Sequence, residues 1–132
     1  MNLKNSWHVA VGGGSGVILR YFFIVLFDDT FAIPAAILIA NMLGCFILGY
    51  VAAHPVLKKN AILLLGTGFA GGLTTFSNFA FDLFWLAESQ SLSSSVLYGI
   101  SGIVSGVVAG VSGYRLPRYL RIYRFMQRRR SL

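Results

Sequence analysis

Four long apolar stretches dominate the sequence and limit what the chain can fold into. They cover residues 7–27, 31–53, 61–86 and 96–114. At about 1.5 Å per residue, a helix of about 20 residues crosses a hydrocarbon core of about 30 Å, so each stretch is long enough to span a membrane. None shows the alternation of barrel strands, and only helices and closed barrels satisfy every backbone group in lipid. The pattern predicts an all-α integral membrane protein with four transmembrane helices in a single domain, residues 1–132.

The composition excludes a water-soluble fold. Only 11% of the residues are charged and 56% are hydrophobic, whereas a soluble domain is about 25% charged. Four carboxylates, two histidines and a single cysteine provide little material for acid–base chemistry, a disulfide framework or a cysteine metal cluster. We therefore expect no enzymatic activity. We also expect no nucleic-acid partner despite the net charge of +7, because a membrane protein has basic residues for a topological reason.

The basic residues mark one face of the membrane. Apart from Arg20, they are Lys4, Lys58, Lys59 and the seven arginines of residues 115–132. The connectors on the opposite face carry only the acidic residues Asp28, Asp29 and Glu88. The positive-inside rule therefore predicts a multi-pass protein of the cell membrane with both termini in the cytoplasm. Residues 115–132 form a basic cytoplasmic tail, which we expect to anchor the topology or to lie on the anionic inner leaflet, with RNA binding as the alternative.

The third stretch contains the residues least suited to a continuous helix. Residues 66–79 read GTGFAGGLTTFSNF, and paired glycine followed by paired β-branched threonine is poor helix sequence. We expect the helix to be interrupted within residues 71–75. A break at membrane depth presents bare carbonyls that suit a hard monovalent cation, and the helix N-terminus that follows favours an anion. The alternative is that these glycines only allow close helix packing.

Several polar and aromatic side chains in the spans are candidates for an ion pathway. Phe76 and Phe79 are three residues apart and share a helix face, where their positive ring edges can face a small anion; packing or lipid contact is the alternative. Ser77 and Asn78 add hydrogen-bond donors. Asn41 is the strongly polar residue of the second span, and its amide either donates to an anion or joins two helices.

Two further features concern the first and fourth spans. Arg20 is costly in lipid and is a functional candidate, with a structural ion pair or snorkelling as the alternative; its expected acidic neighbour is Asp82. The fourth span has a stripe of small residues that predicts close helix packing, preceded by Tyr98 on the same face. This stripe consists of Gly102, Gly106 and Gly110. Ser101 and Ser105 lie beside the stripe and either bond to backbone or face a pore.

Three segments together carry a family signature. Residues 13–21 read GGSGVILRY, residues 41–49 read NMLGCFILG, and residues 68–79 read GFAGGLTTFSNF. These segments resemble the CrcB/Fluc family of small bacterial fluoride channels, and the resemblance extends over all four spans. It implies a fluoride-specific ion channel that exports cytoplasmic fluoride passively for fluoride resistance. It also implies an antiparallel, dual-topology dimer with two pores.

The resemblance implies a role for individual residues as well. Carbonyls of Gly71 and Thr74 from both subunits would hold a central sodium ion that is not transported. Asn41 matches the pore amide of the family, and the ion pathway would consist of Asn41, Thr75, Phe76, Ser77, Phe79 and Tyr98. The chain departs from the family where Gly102 and Gly106 stand in place of serines found in some members, and where Asp82 stands in place of glutamate.

Two other functions compete with a channel. A small proton-coupled exporter has the same size and number of spans, but it requires a membrane-embedded carboxylate that alternates between proton and substrate. A non-conducting subunit of a heteromeric channel requires none of the polar residues of the spans. The one-sided charge also predicts that this chain inserts in one orientation. An antiparallel dimer would then need an oppositely oriented homologue.

Overall fold

The computed structural model describes residues 3–27 and 34–130, which form helices and the turns between them. The helices are α1 (Leu3–Phe27), α2 (Ala35–Ala53), α3 (residues 59–73), α4 (Phe76–Ser89) and α5 (Leu92–Arg130). Four segments are long and apolar enough to cross a membrane: Asn5–Phe27, Ala35–Ala53, Lys59–Ser89 and Leu92–Arg121. The prediction of an all-helical, four-span, multi-pass membrane protein is confirmed. The predicted start of the second span at residues 31–33, together with Asp28 and Asp29, lies outside the described residues.

Helix α3 changes its winding along its length. It is α-helical at Lys59–Ala61, π-helical at Ile62–Ala70 and α-helical again at Gly71–Leu73. Thr74, with φ −78° and ψ 149°, and Thr75, with φ −149° and ψ 129°, are extended, and α4 begins at Phe76. The chain between Lys59 and Ser89 therefore consists of two helices joined by two extended threonines.

Glycines allow α1 and α3 to meet backbone to backbone. A Cβ atom added at Gly12 would collide with the Leu64 carbonyl, and one added at Gly72 would collide with the Gly13 carbonyl. Gly71, in contrast, has nothing within 4 Å of the position of a Cβ. Close packing therefore accounts for Gly72 but does not account for Gly71.

Helix α5 packs against α2 through a second set of small residues. The backbone of Gly110 approaches Gly49 so closely that a Cβ on Gly49 would collide with the Gly110 carbonyl. Gly102 also leaves room for a neighbouring group, the ring of Phe79 from α4. The ring atom Cε2 lies 2.5 Å from a Cβ built on Gly102. The packing interpretation of the fourth-span glycine stripe is confirmed at these two positions.

The fourth helix does not end where the basic residues begin. The fourth span is predicted to end near residue 114, and α5 continues beyond that residue to Arg130 and passes through Pro117. Arginine is a good helix former, so a run of positive charge changes the surroundings of a helix without stopping it. A proline removes one backbone donor, and here α5 remains helical on both sides of it.

Most of the apolar surface of the chain faces outward. The buried cluster is small and consists of Ile37, Phe79, Leu86 and Tyr98. Large side chains such as Ile18 and Trp7 are 71% exposed. Exposed apolar surface on this scale is unfavourable in water and is what lipid or a partner subunit covers.

Candidate functional site

An open groove of about 1020 Å³ lies between α2, α3 and α5 and contains the helix break at one end. Small residues of the three helices line most of it, including Gly44, Ala70 and Gly106. Asn41, Thr74, Thr75, Phe76 and Phe79 lie around the break. Together with Gly71 of α3, which also lines the groove, they are six of the residues that the sequence selected, and they come from α2, α3, α4 and the extended pair of threonines.

Asn41 holds the backbone of the break from the neighbouring helix. Its Oδ1 accepts the backbone N–H of Thr75 at 2.8 Å, and its Nδ2 donates to the backbone carbonyl of Thr75 at 3.0 Å. The side chain of Asn41 thereby replaces helical partners that the extended backbone of Thr75 lacks. An amide has two N–H donors, so one of them remains after this pairing. From the sequence, Asn41 was expected either to join two helices or to donate to an anion. Its two bonds to Thr75 join α2 to the break, and one N–H donor remains for an anion.

Thr75 caps the helix that follows the break. Its Oγ1 accepts the backbone N–H of Asn78 at 3.3 Å, which is the N-cap bond expected of threonine. The hydroxyl of Ser77 lies 3.2 Å from that of Thr75 and is exposed. The N-terminus of α4 thus presents hydroxyls and unpaired backbone N–H groups, a combination that favours negative charge.

Arg20 reaches the break from α1. Its Nη1 donates to the carbonyl oxygen of Thr74 at 3.3 Å. Asp82 was expected to be the acidic residue nearest to Arg20 in depth; the described residues show no ion pair between the two, and the Asp82 carboxylate accepts the hydroxyl of Tyr98 at 2.9 Å. Depth in the membrane does not specify which side of a helix a residue faces. Arg20 brings a full positive charge to the extended segment.

The two phenylalanines that share a face of α4 have different surroundings. Phe76 is 81% exposed at the edge of the groove. Phe79 is 8% exposed, and its ring stacks on that of Tyr98 with the ring centres 5.3 Å apart. Phe79 is therefore part of the packed interior of the chain, and Phe76 is free to contact an ion, lipid or a second subunit.

Tyr98 lies on the far side of Phe79 from the groove. Its hydroxyl is 3.1 Å from the Pro34 carbonyl as well as 2.9 Å from Asp82. The sequence could not identify Pro34 as a hydrogen-bond partner of Tyr98, because a residue of any type has a backbone carbonyl that can accept a hydrogen bond. Tyr98 links α5 to the start of α2 and to α4, and the structure does not bring its hydroxyl to the break itself.

The serines of the fourth span are engaged locally. Ser101 donates to the carbonyl of Tyr98 at 2.8 Å, and Ser105 donates to the carbonyl of Gly102 at 3.2 Å. These are bonds to the preceding turn of the same helix. Of the two alternatives for these serines, bonding to the backbone is the one observed.

The carbonyls of Gly71 and Thr74 suit a hard monovalent cation. The last carbonyls of a helix lack intrahelical donors, and both residues stand at the end of α3 and line the open groove. Thr74 gives one hydrogen bond from its carbonyl to Arg20, and a carbonyl oxygen has two lone pairs. Unwound backbone carbonyls of this kind coordinate sodium in other membrane proteins. The donor set of the break therefore fits the ion.

Comparison with known proteins gives consistent matches over most of the chain. A family model described as "CrcB-like protein, Camphor Resistance (CrcB)" matches residues 7–114. "Fluoride-specific ion channel FluC 2" of Rhodococcus jostii (strain RHA1) is 37% identical over 108 residues, which are 82% of this chain and 94% of that protein. "Fluoride-specific ion channel FluC" of Azobacteroides pseudotrichonymphae genomovar. CFP2 is 33% identical over 123 residues, 89% of this chain and 98% of that protein. "Fluoride-specific ion channel FluC 2" of Staphylococcus haemolyticus (strain JCSC1435) is 34% identical over 112 residues, 82% and 92% of the two chains.

Proposed function

This chain belongs to the CrcB family, and from that membership we propose that it is a fluoride-specific ion channel that lets cytoplasmic fluoride leave the cell passively. The observation that carries the proposal is the extent of the match. The family model covers residues 7–114, which include the second and third spans, the break, and most of the first and fourth spans, and the relatives named fluoride-specific channels align over at least 82% of the chain. Export under a negative-inside membrane potential confers fluoride resistance without coupling chemistry.

The groups around the break supply what a fluoride pore requires. Fluoride is small and strongly hydrated, so a pore must replace its water with donors that do not hold it too tightly. The donors proposed for this chain are the remaining N–H of Asn41 and the hydroxyls of Thr75 and Ser77. The positive ring edges of Phe76 and Phe79 offer attraction without a full charge. The exposure of Phe76 supports its contact with the ion, and Phe79 and Tyr98 would act along the packed side of α4.

We infer that the chain works as an antiparallel dimer. The open groove is lined by small residues, which in membrane proteins mark surfaces that another helix approaches closely. A second copy, or a homologue, would cover the groove and the exposed ring of Phe76. The dimer would also bring together the carbonyls of Gly71 and Thr74 from two subunits. These residues would hold a central sodium ion, which offsets the cost of an anion at low dielectric and is not transported.

The charge distribution supports a single orientation with both termini in the cytoplasm. The arginines at positions 115, 118 and 121 are exposed at the end of α5, where they meet anionic lipid headgroups if α5 ends on the cytoplasmic side. A chain that inserted both ways would be expected to have balanced charge on its two faces. We therefore propose an oppositely oriented homologue as the dimer partner, with a dual-topology homodimer as the alternative.

A proton-coupled exporter is the competing function, and one observation bears on it. The carboxylates in the described parts of the four spans are Asp82 and Glu88, both toward one end of the third span, and that of Asp82 is paired with the hydroxyl of Tyr98. An exporter would need this carboxylate to release that partner and take up protons in each cycle. The pairing supports a structural role for Asp82.

The test is fluoride efflux from proteoliposomes, followed with a fluoride electrode. Valinomycin and a potassium gradient supply the driving force, and no pH gradient is imposed. The proposal predicts efflux that starts on addition of valinomycin and is unchanged when the buffer capacity on both sides of the membrane is raised. Efflux that requires a pH gradient would favour the exporter. No efflux from this chain, either alone or reconstituted with a homologue of opposite charge bias, would refute the channel.

A further inference from the structure

We propose that Asn41 and Thr75 are positioning residues that keep the carbonyls of Gly71 and Thr74 free to bind a cation. Each of them captures the backbone N–H that would otherwise occupy one of these carbonyls. The inference rests on the proposed central cation site and assigns the side chains that create it. It gives Asn41 and Thr75 a role that is separate from contact with fluoride.

The carbonyl of Gly71 is released by Asn41. In a continuous α-helix the N–H of residue i+4 donates to the carbonyl of residue i, so the partner of the Gly71 carbonyl would be the N–H of Thr75. That N–H donates to Oδ1 of Asn41 at 2.8 Å. The second bond, from Nδ2 of Asn41 to the Thr75 carbonyl at 3.0 Å, fixes the same peptide from its other side. Asn41 thus prevents α3 from continuing to Thr75, whose N–H would otherwise donate to the carbonyl of Gly71.

The carbonyl of Thr74 is released by the side chain of Thr75. Its helical partner would be the N–H of Asn78, and that N–H donates to Oγ1 of Thr75 at 3.3 Å. The Nη1 of Arg20 occupies one lone pair of the Thr74 carbonyl and leaves the other. Two different side chains therefore act on the two carbonyls, and each removes one specific competing donor.

Only some carbonyls near the break lose their hydrogen-bond donors. The carbonyl of Ala70, one residue before Gly71, remains occupied by both the N–H and the Oγ1 of Thr74 at 3.0 Å. Ala70 is buried, whereas Gly71 is exposed to the groove and has nothing within 4 Å of a built Cβ. The carbonyl that keeps its hydrogen-bond donors thus belongs to the buried residue, Ala70. The carbonyl whose helical donor has been captured belongs to a residue that a cation and a partner subunit can approach.

The test measures sodium binding independently of fluoride transport. The purified full-length protein is unfolded thermally in detergent at increasing sodium concentration, with N-methyl-D-glucamine replacing sodium at constant ionic strength. A cation that binds only the folded protein raises the unfolding midpoint as its concentration exceeds the dissociation constant. We expect a saturable rise for the wild type and for Thr75→Ser, which retains the Oγ atom. We expect Thr75→Val, which has the same shape without the hydroxyl, to need at least about tenfold more sodium for the same rise.

Thr67→Val is the matched control. Thr67 is an exposed threonine of α3 that lines the same groove away from the break, so the loss of its hydroxyl should leave the sodium dependence at the wild-type value. Asn41→Leu, which removes both bonds to Thr75, is expected to weaken sodium binding as Thr75→Val does. If Thr75→Val or Asn41→Leu does not fold, the carbonyl carbons of Gly71 and Thr74, labelled with carbon-13 in the wild type and in Thr75→Ser, are followed by NMR during a sodium titration. Both signals are expected to shift.

Three results separate this inference from the proposed function. A Thr75→Val protein with the sodium dependence of the wild type would overturn the inference. So would a wild-type protein that exports fluoride but shows neither a sodium-dependent midpoint nor a carbonyl shift, and that result would leave the channel intact. A wild type that shows the predicted sodium behaviour but no fluoride efflux, either alone or reconstituted with a homologue of opposite charge bias, would support the inference and contradict the channel.

Discussion

Helices α1 and α3 cross so closely at Gly68 that replacing this glycine by alanine is expected to destabilise the protein. A Cβ added there would lie 2.8 Å from the Val9 carbonyl oxygen, 3.0 Å from Gly12 Cα and 3.1 Å from Gly13 N. All three are backbone atoms, so no rotamer change relieves the contacts. Ordinary contact begins at 3.4 Å, and α1 and α3 would have to separate by about 0.6 Å to accept the methyl group. Overpacking of this kind costs about 1–3 kcal/mol.

Gly14→Ala provides the control for that substitution. Gly14 lies in α1 and has nothing within 4 Å of a built Cβ. Replacing a helical glycine by alanine at an open site is expected to stabilise a protein by up to about 1 kcal/mol. We therefore expect Gly68→Ala and Gly14→Ala to change the free energy of unfolding in opposite directions.

The assay is reversible unfolding by increasing mole fraction of sodium dodecyl sulfate in mixed micelles, at one fixed protein concentration. Fluoride efflux of the same variants is measured in parallel, because α3 carries the break and its displacement by about 0.6 Å would move the Gly71 and Thr74 carbonyls. Efflux should fall for Gly68→Ala and persist for Gly14→Ala. Equal stability of the two variants would refute the proposed backbone contact between α1 and α3.

The remaining predictions concern the groove and the topology. Phe76→Ile and Asn41→Asp should each lower fluoride efflux by at least about tenfold, because one removes a ring edge and the other replaces an amide donor by a negative charge; unchanged efflux would remove that side chain from the pathway. Ser101→Ala should keep efflux within about twofold of wild type, since its hydroxyl bonds to its own helix; a larger loss would return Ser101 to the pore. A protease site added at either end of the chain should be cut only from the cytoplasmic side; cleavage from both sides would establish dual topology.

The spans were predictable because length and hydropathy are sufficient for them. A segment that must cross lipid satisfies its backbone internally, so its composition determines both its form and its approximate limits. The predicted end of the fourth span at residue 114 concerns the membrane and does not determine where the helix ends. Charge ends a membrane segment but not a helix, and α5 continues through Pro117 to Arg130.

The contacts around the two extended threonines were only partly predictable. The polar residues that the sequence selected in the second and third spans do meet at the break. Their pairing was not predictable, because the bond between Asn41 and Thr75 joins residues 34 positions apart and depends on how α2 is rotated against α3. The hydrogen-bond partner of Arg20 was not predictable for the same reason, since the observed bond goes to the backbone carbonyl of Thr74.

A passive pore that selects fluoride is identified by the membrane potential at which its current reverses. Currents are recorded across a planar bilayer containing the purified protein, with fluoride and chloride gradients set in opposite directions and equal pH on both sides. We expect reversal at the fluoride equilibrium potential, with a shift of about 59 mV for each tenfold change in the fluoride ratio. Reversal at the chloride potential, or a reversal potential that follows an imposed pH difference, would contradict it.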